Sequence, residues 1–323
     1  MKSLRILALT FLAALTAFAE DKPAPAPAPK PAPRIPDSIE LKADLPYAGN
    51  DNPRQALDLY LPKKRATDKP LPVVVYIHGG GWSGGSRAGG GPAFGAAMSG
   101  NYAGISVGYR LSGEVKWPAQ IHDCKAAIRW IRGHAKEYNL DPERIGITGS
   151  SAGGHLVCLL GLTGDTKQLE GTIGEFTSLS SKVNCVVNYY GPTDMASPLM
   201  QGDAALKDDP AVAGLLGGPI AENAAKAKEC SPLTYVHAGT PPFLTVHGTK
   251  DMRVNFNNAT KLHEALGKVG SPSLLLPVTD GGHGFRSAEV DRRVRQFFDL
   301  HLRGIRADIS TEPVTPDAAP ARK

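Results

Sequence analysis

The chain has 323 residues, 41% of them hydrophobic and 21% charged, with a formal net charge of +5. That length and balance are ordinary for a soluble globular protein with a large core. Lys2 and Arg5 lie in a segment expected to be removed, which leaves a mature charge of about +3. With no run of Lys and Arg interleaved with aromatics, nucleic acid is excluded as the expected partner.

Met1 to Arg5 is a short basic start, Ile6 to Ala19 is an apolar run, and Ala17-Phe18-Ala19 supplies the small-x-small pattern that a signal peptidase reads. The apolar run is too short to span a bilayer comfortably. A cleaved signal over 1–19 and a secreted or periplasmic location are therefore expected, with no stable membrane anchor. No Cys follows the run, so a lipid anchor is not indicated. Residues 20–38 are a Pro/Ala-rich linker without the material for a core. Residues 39–306 read as one folded body, and 307–323, again rich in Pro and Ala, as a disordered tail.

Within the body, Gln55 to Leu61 alternates apolar and polar, predicting a half-buried edge strand. Val73 to Ile77 is a continuous apolar run, predicting a strand covered on both faces. Tyr102 to Tyr109 and Arg144 to Thr148 are further strands. Between them a helix starts near Pro118, with Ile121, Cys124, Ile128 and Ile131 on one stripe. Strands at Val183 to Tyr189, Phe243 to Val246 and Ser273 to Val278 follow, with helices at Phe256 to Leu266 and Ala288 to Leu302. The alternation predicts an α/β fold whose sheet is mostly parallel and carries helices on both faces. Ligands of such sheets lie beyond the carboxyl ends of the strands.

Four strand ends carry chemistry. Arg144 to Thr148 runs into Gly149-Ser150-Ser151-Ala152-Gly153 and then a helical pattern, the strand-turn-helix setting that gives G-x-S-x-G its meaning. Ser151 is the candidate nucleophile. Ile77 is followed by His78-Gly79-Gly80-Gly81-Trp82, a glycine run whose amides can converge on a carbonyl oxygen. Gly80, Gly81 and Ala152 are the candidate oxyanion donors, and His78 an anchor for the loop. His283, in Asp280-Gly281-Gly282-His283-Gly284, follows the last strand and is the candidate base. His122, His134, His263 and His301 fall on helices, His155 points away from Ser151, and His247 has a structural role. Asp251 is the candidate orienting acid, with Asp194 and Asp280 as rivals; Ser151, Asp251, His283 is the chain order of this chemistry. Trp82, Ser150 and Tyr190, beside these motifs, are the expected substrate-pocket residues.

Cys124, Cys158, Cys185 and Cys230 have no metal-ligand spacing. Export makes disulfides available to them, but buried thiols are favoured, since three lie inside apolar patterns.

His78-Gly79-Gly80-Gly81-Trp82, Tyr109-Arg110-Leu111, Gly149 to Leu156, Tyr190-Gly191-Pro192-Thr193-Asp194 and His247 to Asp251 together resemble the HGGG-type branch of the α/β-hydrolases, near hormone-sensitive-lipase-like esterases. The chain looks closer still to bacterial feruloyl-esterase-like and acetyl-xylan-esterase-like proteins and to kynurenine formamidases. The resemblance covers about residues 45 to 304, and Gly108 stands where the lipase-like group often has Asp. It implies an α/β-hydrolase fold with a sheet of about eight strands. It also implies a short cap insertion over 195–235 and an acyl-enzyme mechanism without metal or organic cofactor. The implied substrates are short-chain or aromatic acyl esters, small or linked to plant polysaccharides. An amidase or formamidase of the same fold, or a general carboxylesterase on small alkyl esters, are the alternatives.

Overall fold

Apolar runs punctuated by glycine and proline form the strands, and apolar residues three and four apart form the helices between them. The computed structural model describes residues 35–164, 166–196 and 209–318. The expected signal, most of the linker, part of the cap insertion and the last five residues lie outside these.

The strands are β1 (Ile39–Pro46), β2 (Ala56–Pro62), β3 (Leu71–Ile77), β4 (Ala103–Val107), β5 (Leu140–Ser150), β6 (Cys185–Tyr189), β7 (Phe243–Gly248) and β8 (Ser273–Val278). They form one sheet in the order β1-β2-β4-β3-β5-β6-β7-β8. The β1–β2 and β2–β4 pairs are antiparallel and all others parallel. The helices are α1 (Gly91–Met98), α2 (Ala119–Gly133), the single turn α3 (Ala135–Tyr138), α4 (Ala152–Leu162), α5 (Pro210–Leu216), α6 (Ala224–Glu229), α7 (Asn257–Lys268) and α8 (Ala288–Arg303).

Alternate strand residues feed two cores. Val73, Val75 and Ile77 of β3 pack with α2, α4 and α7 on one face of the sheet. Val74, with Cys185 and Val187 of β6, packs against Val290, Val294, Phe297 and Phe298 of α8 on the other. This two-sided burial is why the central strands are apolar throughout. It is the α/β-hydrolase arrangement expected from the sequence.

Two expectations need correction. The segment at 55–61 is not an edge strand: β2 is buried along its whole length between β1 and β4. Its polar Asp58 faces no solvent, because Arg87 Nε donates to its carboxylate at 3.0 Å and the Asp44 amide at 3.0 Å. The edge is β1, whose mixed exposure and charged residues gave no clear alternation. Nor is the described part of the tail, 307–318, frayed. Val314 is buried and exchanges backbone hydrogen bonds with Pro277 (3.1 Å) and Thr279 (2.7 Å) beside β8. The buried Arg293 donates to the Ser310 and Glu312 carbonyls at 2.9 and 2.6 Å. A short polar-and-proline segment is held here by Val314, by the partly buried Ile309 and by carbonyls that satisfy a buried guanidinium.

Candidate active site

The parallel strands all end on one side of the sheet, and the chemistry-bearing loops follow β3, β5, β7 and β8. Ser151 sits between β5 and α4 at φ 55°, ψ −120°, a backbone conformation costly for any residue but glycine. Close packing holds it there: a Cβ on Gly153 would stand 2.1 Å from the Ile77 carbonyl oxygen, so β3 and α4 meet backbone to backbone. Ala152 is the first residue of α4. Its amide has no carbonyl one turn earlier to reach, and it lies at the positive end of the helix.

Ser151, His283 and Asp251 come together. The Ser151 Oγ–H donates to His283 Nε2 at 2.9 Å, and His283 Nδ1–H donates to Asp251 Oδ2 at 2.8 Å. The other Asp251 oxygen accepts from the Arg253 and Val254 amides, each at 2.8 Å. Burial alone would raise the Asp251 carboxyl, but hydrogen bonds from His247, His283 and the Val254 amide outweigh it and hold the group well below the usual carboxylate range. Asp251 is therefore ionised at neutral pH. The rival acids are engaged elsewhere: Asp280 pairs with Lys250 at the surface (2.7 Å), and Asp194 accepts from the Ala196 amide at 3.2 Å.

The other expected residues divide into two groups. Gly81, Trp82, Ser151 and Ala152 line one cavity of about 30 Å³, open to the centre of a water molecule, together with Pro192, Ala211, Val212 and Val254. Asp209 and Arg253 complete the lining. Gly80 is one residue back along the turn, outside that ring, and its carbonyl accepts from Ser83 and Gly84. Ser150 and Tyr190 are not at the cavity either, contrary to expectation. Tyr190 packs edge-on against the His283 ring with centroids 4.8 Å apart, and Ser150 hydrogen-bonds the Tyr190 phenol and lies 3.3 Å from Tyr76 Oη. Tyr190 backs the imidazole, and neither residue lines the cavity.

Two other histidines hold the frame. His78 stacks on Tyr109, with centroids 4.3 Å apart, and the Tyr109 hydroxyl donates to the His78 carbonyl at 3.0 Å. Burial lowers the His78 imidazole below its ordinary range. His155 is buried, accepts from Trp82 Nε1 at 3.2 Å through Nδ1 and donates to the Cys230 carbonyl at 2.6 Å through Nε2. Burial pushes it down to about 4 despite that carbonyl. This neutral imidazole fixes the Trp82 indole as cavity wall. It also ties α4 to the segment after α6. Gly108, where an acid had been the comparison, has no room for a side chain: a Cβ would lie 2.7 Å from the Arg54 carbonyl oxygen. All four cysteines are free and buried.

Sequence reasoning missed the α5 wall of the cavity. Ala211 and Val212 belong to a stretch of small apolar residues with no motif, and only the fold carries them to Ser151. Among the described residues no cluster of His, Cys, Asp and Glu is arranged to hold a metal, and no helix is long and apolar enough to cross a membrane.

The family model BD-FAE matches residues 57–266, a span that contains Ser151 and Asp251 and stops short of His283. Esterase LipC of Mycobacterium tuberculosis is 32% identical over 237 residues, covering 73% of this chain and 58% of LipC. The chain thus spans little more than half of that curated relative. A truncated carbohydrate esterase from gut microbiota superimposes with a TM-score of 0.74 at 30% identity, covering 84% of this chain and 99% of the other. A bifunctional GH43-CE from Bacteroides eggerthii gives 0.73 at 33% identity, over 83% of this chain and 36% of the other. The chain belongs to the BD-FAE family, and its body has the α/β-hydrolase fold.

Proposed function

We propose that this protein is an exported serine carboxylic-ester hydrolase that works through an acyl-enzyme on short-chain or aromatic acyl esters, including those borne by plant polysaccharides. The observation that carries the reading is the continuous chain of hydrogen bonds from Ser151 Oγ through His283 to an ionised Asp251, at 2.9 and 2.8 Å, beside the cavity. His283 Nε2 takes the Ser151 proton as Oγ attacks the ester carbon, and Asp251 stabilises the imidazolium. The carbonyl oxygen becomes an oxyanion held by the amides of Gly80, Gly81 and Ala152. His283 then gives its proton to the departing alkoxide. In the second half water attacks the acyl-enzyme, losing its proton to His283, and Ser151 leaves with that proton restored.

The polysaccharide part is supported by two similar structures, a carbohydrate esterase and a bifunctional GH43-CE. The basic start and apolar run at residues 1–19 support export. Ser151→Ala is expected to lower kcat on 4-nitrophenyl acetate by roughly 10⁴ to 10⁶. Retention of most of the activity would overturn the mechanism. Release of acetate or ferulate from xylan by the purified protein tests the polymer substrate. N-terminal sequencing of protein recovered outside the cytoplasm tests export.

A further inference from the structure

The ester-hydrolase reading fixes where each part of the substrate lies. At the tetrahedral carbon, one substituent is Ser151 Oγ. A second, the oxyanion, turns toward the amides of the glycine run and Ala152. The third, the leaving oxygen, must lie within reach of His283 Nε2 to receive a proton. The acyl chain takes the direction that remains.

Beyond Gly282 and Gly284 the loop borders an open groove of about 870 Å³, but neither Ser151 nor His283 lines it. On the side of the glycine run is the cavity of about 30 Å³, and His283 is not among its lining residues. One water needs about 10–15 Å³ in this measure, so the cavity admits a group of about two such volumes. A methyl group fits, while a propyl chain or an aromatic ring does not.

The wall that limits the cavity is α5. Its Asp209 cap accepts from the Ala211 and Val212 amides at 2.6 and 3.3 Å. Val212, Leu215 and Leu216 are buried in the main core. At its other end the Leu215 carbonyl accepts from the Trp117 amide at 2.9 Å. Held at both ends, the helix brings the Ala211 methyl to 3.2 Å from the place a Cβ on Gly81 would occupy. The opposite wall is Trp82, which His155 fixes.

We infer that Ala211 and Val212 set the acyl length: the cavity they wall beside Ser151 takes acetyl and rejects longer and aromatic acyl groups. This rests on the ester-hydrolase reading and chooses within it, against feruloyl and for acetyl.

The test is kcat/KM on 4-nitrophenyl acetate, butyrate, hexanoate and ferulate, with the leaving group held constant. For the natural chain, butyrate should fall at least about tenfold below acetate, with hexanoate and ferulate lower still. Val212→Ala should raise the butyrate-to-acetate ratio about tenfold. Ala211→Leu, a change at a half-buried site, should lower it further. A flat chain-length profile in the natural chain, or a ratio that Val212→Ala leaves unmoved, overturns this inference alone. No turnover of any of the four esters overturns the ester-hydrolase reading and this inference together.

Discussion

His247 Nε2 lies 3.2 Å from Asp251 Oδ2, the same oxygen that accepts from His283 Nδ1 at 2.8 Å. The Val254 carbonyl also accepts from His247 Nε2, at 2.8 Å, which places the proton on that nitrogen. His247 is therefore a positioning residue that holds the Asp251 carboxylate from behind. His247→Ala should lower kcat roughly tenfold, the scale of one hydrogen bond to a charged group, with little change in KM. His247→Gln keeps a donor and should recover most of the loss. Equal kcat values for the natural chain and His247→Ala in steady-state kinetics would remove the role.

Gly153 gives a prediction opposite in sign to helix propensity. Alanine is the better helix former, yet a Cβ here would stand 2.1 Å from the Ile77 oxygen and 2.6 Å from the His78 oxygen, both backbone atoms that cannot rotate away. Gly153→Ala should cost about 3 kcal/mol or more and disturb the Ser151 turn. Urea unfolding measures it, and an unchanged midpoint would show that β3 and α4 are free to move apart.

Much of this site was legible because its chemistry needs rare local patterns. Glycines beside Ser151 and after Ile77, and a histidine flanked by glycines after the last strand, mark where backbones must approach closely or turn sharply. The resemblance narrowed the chemistry to acyl transfer. What stayed hidden depended on burial and contact. Asp58 looked like a solvent-facing position and made β2 read as an edge, because nothing in the sequence ties it to Arg87 29 residues later. Tyr190 packs on the His283 ring, and Ser150 meets Tyr190 and Tyr76 and not the cavity. Ala211 and Val212 have no chemistry of their own, and their meaning comes from standing opposite Gly81 and Trp82.

Burial of His155 makes the fold acid-sensitive. Above pH 6.5 the native and unfolded chains both hold a neutral imidazole, so no difference arises there. As pH falls from 6.5 toward about 4, the unfolded chain takes up a proton that the native site refuses, and unfolding is favoured progressively. The loss reaches about 3 kcal/mol at the acid end of that window. His78, lowered by burial, contributes in the same direction. His155→Gln can accept from Trp82 and donate to Cys230 without titrating, so its urea midpoint should fall less between pH 7 and 4.5 than that of the natural chain. Parallel curves would exclude His155 as the source.

The segment after α8 should contribute measurably to stability. A chain ending at Arg306 loses the buried Val314, the carbonyls that satisfy Arg293, and the Asp317 carboxylate that accepts from the Ala288 amide at 3.0 Å. The expected cost is about 2–4 kcal/mol, from roughly one apolar side chain and one helix-end contact. Val314→Ser in the full chain should reproduce about half of it. A truncated chain with unchanged thermal unfolding would mean that the segment packs without stabilising.

The four thiols are all buried, and burial drives each of them upward, away from the thiolate that reacts. Maturation therefore waits on no oxidase and no bond shuffling. The polypeptide can reach the same active form in a reducing cell interior or an oxidising medium. A thiol reagent should find four groups in denaturant and almost none in the native enzyme, and peroxide should leave the hydrolase working. A fold built this way holds no disulfide for the redox potential of its surroundings to make or break.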